Sequence, residues 1–188
     1  MTRGEVWLIR HGETEWSASG RHTSSTNLAL TAEGERKAAA VGRLLAGKAF
    51  ALVLASPLRR ALETCRLAGY SPEVTSDLRE WGYGAYEGLT TAEIQVQKPG
   101  WTIWNGTPPG GESAEEVGAR ADRVIARAAA ATGDVALFGH GHMLRVLAAR
   151  WLELEPTGGR LLALSTGSLS VLGYEHGTRV VQGWNRTP

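Results

Sequence analysis

The chain has 188 residues, with 20 Lys and Arg against 19 Asp and Glu and a formal net charge of +1. That length suits a single domain over residues 1–188 with a sizeable core, and no linker or low-complexity stretch marks a second one. The near-neutral balance argues against a nucleic-acid or membrane-surface partner, which would want a one-sided basic excess.

No apolar run approaches the roughly 20 residues needed to span a bilayer. The first expected strand begins about four residues in, which leaves no room for a secretory leader. A cytoplasmic location is the expectation. Lysine stands only at Lys37, Lys48 and Lys98, so positive charge is nearly all guanidinium, which suits phosphate better than ammonium does. Cys65 is alone, which excludes a disulfide framework and a multi-cysteine zinc site. It sits inside an apolar helical run and reads as packing.

Residues 5–9 read as a short buried strand that Gly12 ends, leaving Arg10 and His11 at its carboxyl end. In open α/β sheets ligands bind just beyond that end of the strands. An Arg-His pair there is placed to meet an anion. After a polar loop, Thr31 caps a helix running to residue 46, with Ala38, Val41, Leu44 and Leu45 on one face and Gly47 as its stop. A second buried strand follows at 52–55, and Pro57 fits the first turn of the next helix, which carries Arg59 and Arg60. Residues 72–75 suggest a short strand.

Between Tyr86 and Gly111 the periodicity breaks down. This piece holds Pro99, Trp101, Trp104, Pro108 and Pro109 and reads as an insertion at about 87–112. Long irregular loops are often substrate lids; the alternative is a surface loop pinned by its tryptophans. A helix at 114–131 precedes a strand from Asp134, then a helix through Met143 with Leu144, Leu147, Ala148 and Trp151. The tail suggests strands at 161–163, 169–174 and 178–181, with Glu175-His176-Gly177 as a hairpin turn. Strands alternating with helices predict a three-layer α/β/α sandwich around a mostly parallel central sheet.

Phe138-Gly139-His140-Gly141-His142 repeats the first arrangement, a His-Gly at the end of an apolar strand. If the two strands are neighbours, His11 and His140 converge on one pocket. Spacing alone does not choose between them as nucleophile.

With these marks go Arg10-His11-Gly12-Glu13-Thr14, Ser56-Pro57-Leu58-Arg59-Arg60-Ala61 with Glu63-Thr64, and Leu78-Arg79-Glu80-Trp81-Gly82-Tyr83-Gly84 leading into Tyr86-Glu87-Gly88. Gly110-Gly111-Glu112-Ser113 and His140-Gly141 complete the series. In this order the chain resembles the histidine phosphatase superfamily, which includes cofactor-dependent phosphoglycerate mutases. The Glu-Trp-Gly-Tyr-Gly and His-Gly-His variants resemble its bacterial acid phosphatases and fungal sedoheptulose-bisphosphatases.

The resemblance implies a phosphatase acting on small, sugar-derived phosphomonoesters. A neutral nitrogen of His11 attacks phosphorus, and water hydrolyses the resulting phosphohistidine. It gives Arg10 and Arg60 the role of fixed positive charge, and His140 that of a further donor, protonated when a phosphate dianion raises its pKa. Glu80, rather than Glu87, becomes the general acid for the leaving oxygen. Partial burial beside Trp81 and Tyr83, or the substrate's own charge, would let it hold a proton, so activity should favour mildly acidic pH.

By the same match Ser17, Arg21, Thr23 and Ser24 line the loop after His11, and Tyr83 and Gly141 contact substrate. Ser17 stands where the mutases have asparagine and Ser24 where they have glycine, which counts against mutase activity. The alternatives are a cofactor-dependent phosphoglycerate mutase and a non-catalytic phosphate-binding protein, the latter disfavoured because Arg10, His11, Arg60, Glu80 and His140 are all present. His140-Gly141-His142 lacks the further ligands of a metal site, so no metal and no cofactor are expected. The expected partner is a small phosphorylated substrate, and a homodimer stays open.

Overall fold

The fold was taken from a computed structural model, which describes residues 4–188. Its core is one six-stranded sheet in the order β3-β2-β4-β1-β5-β6. The strands are β1 (Val6–Arg10), β2 (Leu52–Ala55), β3 (Glu73–Val74), β4 (Val135–Gly139), β5 (Leu169–Glu175) and β6 (Thr178–Arg186). β1, β2, β3 and β4 run parallel, while β5 is antiparallel to β1 and forms a hairpin with β6. The hairpin turns through His176 and Gly177, at φ 49° and 85°. Both values are left-handed, as a two-residue turn matching the sheet's twist requires.

Side chains along a strand alternate between faces, and both faces here are apolar. Val6 and Leu8 of β1 and Val135 and Leu137 of β4 face one core with α5 (Ala114–Ala130) and α6 (Gly141–Trp151). Ile9, Ala136 and Phe138 face the other, with α2 (Ala32–Leu44) and α3 (Arg59–Leu67). The result is the expected three-layer α/β/α sandwich. Burial on both faces explains why β4 reads as a continuous apolar run.

Local signals set the helix starts. Thr31 accepts the Gly34 N–H at the head of α2, and Ser113 with Glu116 makes a capping box on α5. A short α1 (Glu15–Ala18) is capped in the same way by Thr14 and Ser17.

Three expectations change. Residues 161–163 are not a strand: Pro156–Leu161 is a 3-10 segment, and the carbonyls of Ala163 and Leu164 accept from the Trp184 indole and the Arg10 guanidinium instead of a neighbouring strand. Pro57 lies ahead of α3 rather than in its first turn, because Leu58 is the cap and Asn27 Oδ1 accepts the Arg59 N–H at 2.7 Å. The 87–112 segment is not wholly irregular, since a Thr90–Glu93 capping box starts helix α4 (Thr91–Gln97). The segment's tryptophans point inward, Trp101 onto Tyr86 and Trp104 onto Trp81.

Candidate active site

Parallel pairing places the site. Arg10 lies opposite Gly139 in the β1–β4 register, so the next residues, His11 and His140, leave adjacent strand ends side by side. The His11 N–H donates to the Gly139 carbonyl at 3.0 Å. The two imidazole centroids lie 5.1 Å apart. Ser56 occupies the same station after β2, and its N–H donates to the Phe138 carbonyl at 3.0 Å.

Hydrogen bonds fix both tautomers. His11 Nδ1 lies 2.6 Å from the Gly12 carbonyl oxygen. A carbonyl only accepts, so Nδ1 carries the proton and Nε2 the lone pair. Burial, then Arg10 and Arg60, hold the His11 pKa well below its ordinary value, against a smaller opposing pull from the Gly12 bond. The ring is a neutral nucleophile whose Nε2 lone pair is free of a proton, on a buried side chain that borders the cavity.

For His140 the roles are reversed. Arg60 Nε donates to Nδ1 at 3.2 Å, so Nε2 bears the hydrogen and reaches Ser56 Oγ at 2.7 Å. Burial and the charge of Arg60 push its pKa well down. Before phosphate arrives His140 is therefore a neutral N–H donor, whereas the sequence suggested an imidazolium once the anion is bound. Protonating Nδ1 would break the bond from Arg60.

The two central arginines are used differently. Arg60 is wholly buried, and besides His140 it donates to the carbonyls of Thr23, Ser24 and Thr26. It ties down the loop after β1 and acts on the pocket through its charge. Arg10 borders the cavity and donates to the Leu164 carbonyl, while its buried Nε has no partner among the described residues. A buried donor with hydrogen-bonding capacity left beside a cavity can serve an anion that enters it. Gly141 packs closely here: a Cβ would sit 3.2 Å from Arg10 Cζ, so the guanidinium would have to shift by a few tenths of an ångström.

Glu80, 8% exposed, accepts N–H bonds from Trp81, His142 and Met143 at 2.8, 3.0 and 2.9 Å. The last two are the second and third amides of α6, whose cap residue His140 offers no side-chain cap. Glu80 thus caps that helix from outside it. Glu87 is the poorer candidate for an acid. Burial alone would raise its pKa, but bonds from Ser24, Ser25 and Thr26 hold it at about 2, and it organises the 24–26 loop.

A cavity of about 180 Å³ opens here, bordered by Arg10, His11, Ser17, Arg21, Thr23, Glu80, Tyr83 and Gly141. His22, which the sequence suggests at the pocket mouth, and His142, which it suggests as a structural or substrate-gating residue, border it too, as does Arg145, to which it gives no role. Two expected contacts change. The Ser17 hydroxyl donates to the Thr14 carbonyl at 3.0 Å as part of the α1 cap, so it is not free for a phosphate oxygen. Ser24 is bonded to Glu87 and lines a neighbouring cleft instead.

Thr64 also lacked a role: its Oγ1 accepts the Gly12 N–H at 2.9 Å, steadying the turn that carries His11. Cys65 is buried and free, its thiol pushed up to about 12 by burial, consistent with packing.

Paired imidazoles and buried guanidiniums at the carboxyl edge of a doubly covered sheet define an enzyme of phosphoryl transfer. The chain matches the family model of the histidine phosphatase superfamily, branch 1, over residues 6–187, and it belongs to that superfamily. It is similar to an acid phosphatase of Mycobacterium tuberculosis, 43% identical over 92% of this chain and 87% of that protein. It is also similar to a sedoheptulose 1,7-bisphosphatase of Saccharomyces cerevisiae, 34% identical over 78% of this chain and 67% of that one. A solved Mycobacterium tuberculosis structure superposes with a TM-score of 0.93 at 39% identity, covering 98% of both chains. The chain is accordingly a phosphatase, a phosphoric monoester hydrolase.

Proposed function

We propose that the chain hydrolyses small, sugar-derived phosphomonoesters through a phosphohistidine on His11 Nε2. The observation that carries this reading is the Nδ1–Gly12 bond, which leaves Nε2 unprotonated and 5.1 Å ring-to-ring from His140. In the first step the Nε2 lone pair forms a bond to phosphorus while the ester P–O bond breaks. Glu80 gives its proton to the departing oxygen. In the second step water attacks the phosphohistidine, Glu80 takes the proton back, and inorganic phosphate leaves.

Charge spread over the three equatorial oxygens is met by Arg10, by the field of Arg60 and by the His140 Nε2–H. In the free site that hydrogen points at Ser56 Oγ and His140 is buried behind the cavity border, so reaching phosphate requires the ring itself to move.

Hydrolysis is preferred over transfer to a second substrate because the Ser17 hydroxyl is committed to its helix cap, whereas the mutases place an asparagine there. A cytoplasmic location is part of the same reading. Among the described residues no helix is long and apolar enough to cross a membrane. The 87–112 segment gives no residue to the cavity border; its Trp104 packs against the lining residue His142 at 5.2 Å, and its role as a substrate cover is part of this proposal.

The test is trapping of the intermediate. Label from a radiolabelled phosphomonoester should stay on the wild-type protein after an alkaline quench and be absent from His11→Ala. Equal labelling of both would remove His11 from the role.

A further inference from the structure

The Gly110-Gly111-Glu112-Ser113 stretch gives no residue to the catalytic cavity, yet it is built against the segment that carries Glu80. A Cβ on Gly111 would sit 2.3 Å from the Gly82 carbonyl oxygen, so only glycine admits this approach. The Glu112 N–H donates to that carbonyl at 2.9 Å, and the Glu112 carbonyl accepts the Trp81 indole N–H at 2.8 Å. Glu112 Oε2 accepts the Gly82 N–H at 2.7 Å.

Ser113 caps α5, which places Arg120 about two turns further on. Arg120 is buried. Its Nε and Nη2 grip the two carboxylate oxygens of Glu112, each at 2.8 Å. Its Nη1 donates to the Asp77 and Arg79 carbonyls at 2.8 and 3.0 Å, and Nη2 reaches the Glu80 carbonyl at 3.5 Å. Among the described residues no backbone N–H donates to those three carbonyls. Nη1 also lies 3.4 Å from Met143 Sδ, and Glu80 Oε1 holds the Met143 amide. One guanidinium therefore touches both elements that aim the Glu80 carboxylate, the 77–82 segment and the start of α6. A planar fork can hold a carboxylate by two bonds and still serve several carbonyls, which an ammonium cannot.

We infer that Arg120, with Glu112, is the positioning residue for proton donation: it fixes the Glu80 carboxylate at the leaving oxygen without touching substrate. This rests on the reading of Glu80 as the general acid. A misplaced acid should harm only those esters whose leaving oxygen needs its proton. Glycerol 3-phosphate expels an alkoxide and needs it; p-nitrophenyl phosphate expels a stabilised phenolate and does not. The quantity to compare is kcat/KM, which ends at release of the alcohol and excludes hydrolysis of the phosphohistidine.

Arg120→Gln should lower kcat/KM about 100-fold for glycerol 3-phosphate, the scale of a small misplacement, and less than about threefold for p-nitrophenyl phosphate. Arg120→Lys should recover part of the loss. Glu112→Gln, which removes the charge and keeps the volume, makes the same comparison where Arg120→Gln fails to fold. Once Glu80→Gln has removed the acid, adding Arg120→Gln should cost glycerol 3-phosphate less than about threefold more, because both act on one step.

Equal losses on the two esters, or no loss on either, would make Arg120 a fold residue only and overturn the inference. A full further loss in the double variant would do the same. Glu80→Gln serves as the reference. If it spares p-nitrophenyl phosphate and Arg120→Gln does not, this inference alone fails; if it harms both esters equally, the acid reading fails and takes the inference with it.

Discussion

Glu80 accepts the His142 amide at 3.0 Å and the Met143 amide at 2.9 Å, so one carboxylate both faces the cavity and closes the first turn of α6. Stability and chemistry are coupled at this residue. Glu80→Gln keeps one acceptor but turns an NH2 toward a backbone N–H. It should lose about 1–2 kcal/mol in urea unfolding, the scale of a lost cap. Turnover should fall at least about 100-fold, since a neutral amide cannot shuttle the proton. A variant with wild-type stability would show that the helix does not need this cap.

The pH dependence of kcat/KM should report His11. Its pKa is lowered well below the ordinary value by burial and by Arg10 and Arg60, so the neutral nucleophile persists on the acid side. The limb left, once the substrate's own ionisation near about pH 6 is divided out, should lie well below pH 6.5. An enzyme-specific limb at or above 6.5 would mean that the ring is protonated more easily than its surroundings allow.

Much of this site was legible because strand ends are written locally. Apolar runs stopped by Arg10-His11-Gly12 and by His140-Gly141 mark where chain leaves a sheet, and parallel order then brings the two histidines together. Ser56 follows Leu52–Ala55 in the same way and could have been found by the same rule. Arg145 could not. Its place depends on the packing of α6 against Trp104 and the 156–161 segment, whose contacts are remote in sequence. The strand expected at 161–163 failed for a related reason: the carbonyls there are claimed by Arg10 and Trp184, and local periodicity carries no sign of them. The Ser17 hydroxyl went to the nearest backbone acceptor, a competition that a family match does not reveal.

Acid should destabilise the fold in a countable way. His11, His140 and His142 all have folded pKa values well below 6.5, each chiefly through burial. Unfolding frees them to titrate near about 6.5. Below that pH the unfolded chain binds more protons, so their contribution is complete above 6.5 and is lost as pH falls toward the folded values. Between pH 6 and 5 unfolding should take up two to three protons from these rings, about 1.4 kcal/mol per pH unit for each fully titrating group. Inorganic phosphate should offset part of the loss by binding the folded site. Urea titrations at stepped pH give the proton count directly, and a count below one would contradict the neutral, buried state of the rings.

Gly34 is a sensitive position away from the cavity. It lies in the first turn of α2, where alanine is ordinarily the better helix former by about 1 kcal/mol. Here a Cβ would sit 2.2 Å from the Glu13 carbonyl oxygen, and one on Gly12 would sit 2.3 Å from the Gly34 carbonyl oxygen. Both obstacles are backbone, which cannot rotate aside. The turn after β1 would have to move away from α2, carrying the Gly12 carbonyl that orients His11. Overpacking of this kind costs about 1–3 kcal/mol and should outweigh the propensity gain. Gly34→Ala should therefore lower the urea midpoint and reduce kcat more than it changes KM, because the substrate's outer contacts are untouched. A raised midpoint with unchanged turnover would show that propensity prevails and that the glycine contact does not hold the nucleophile in place.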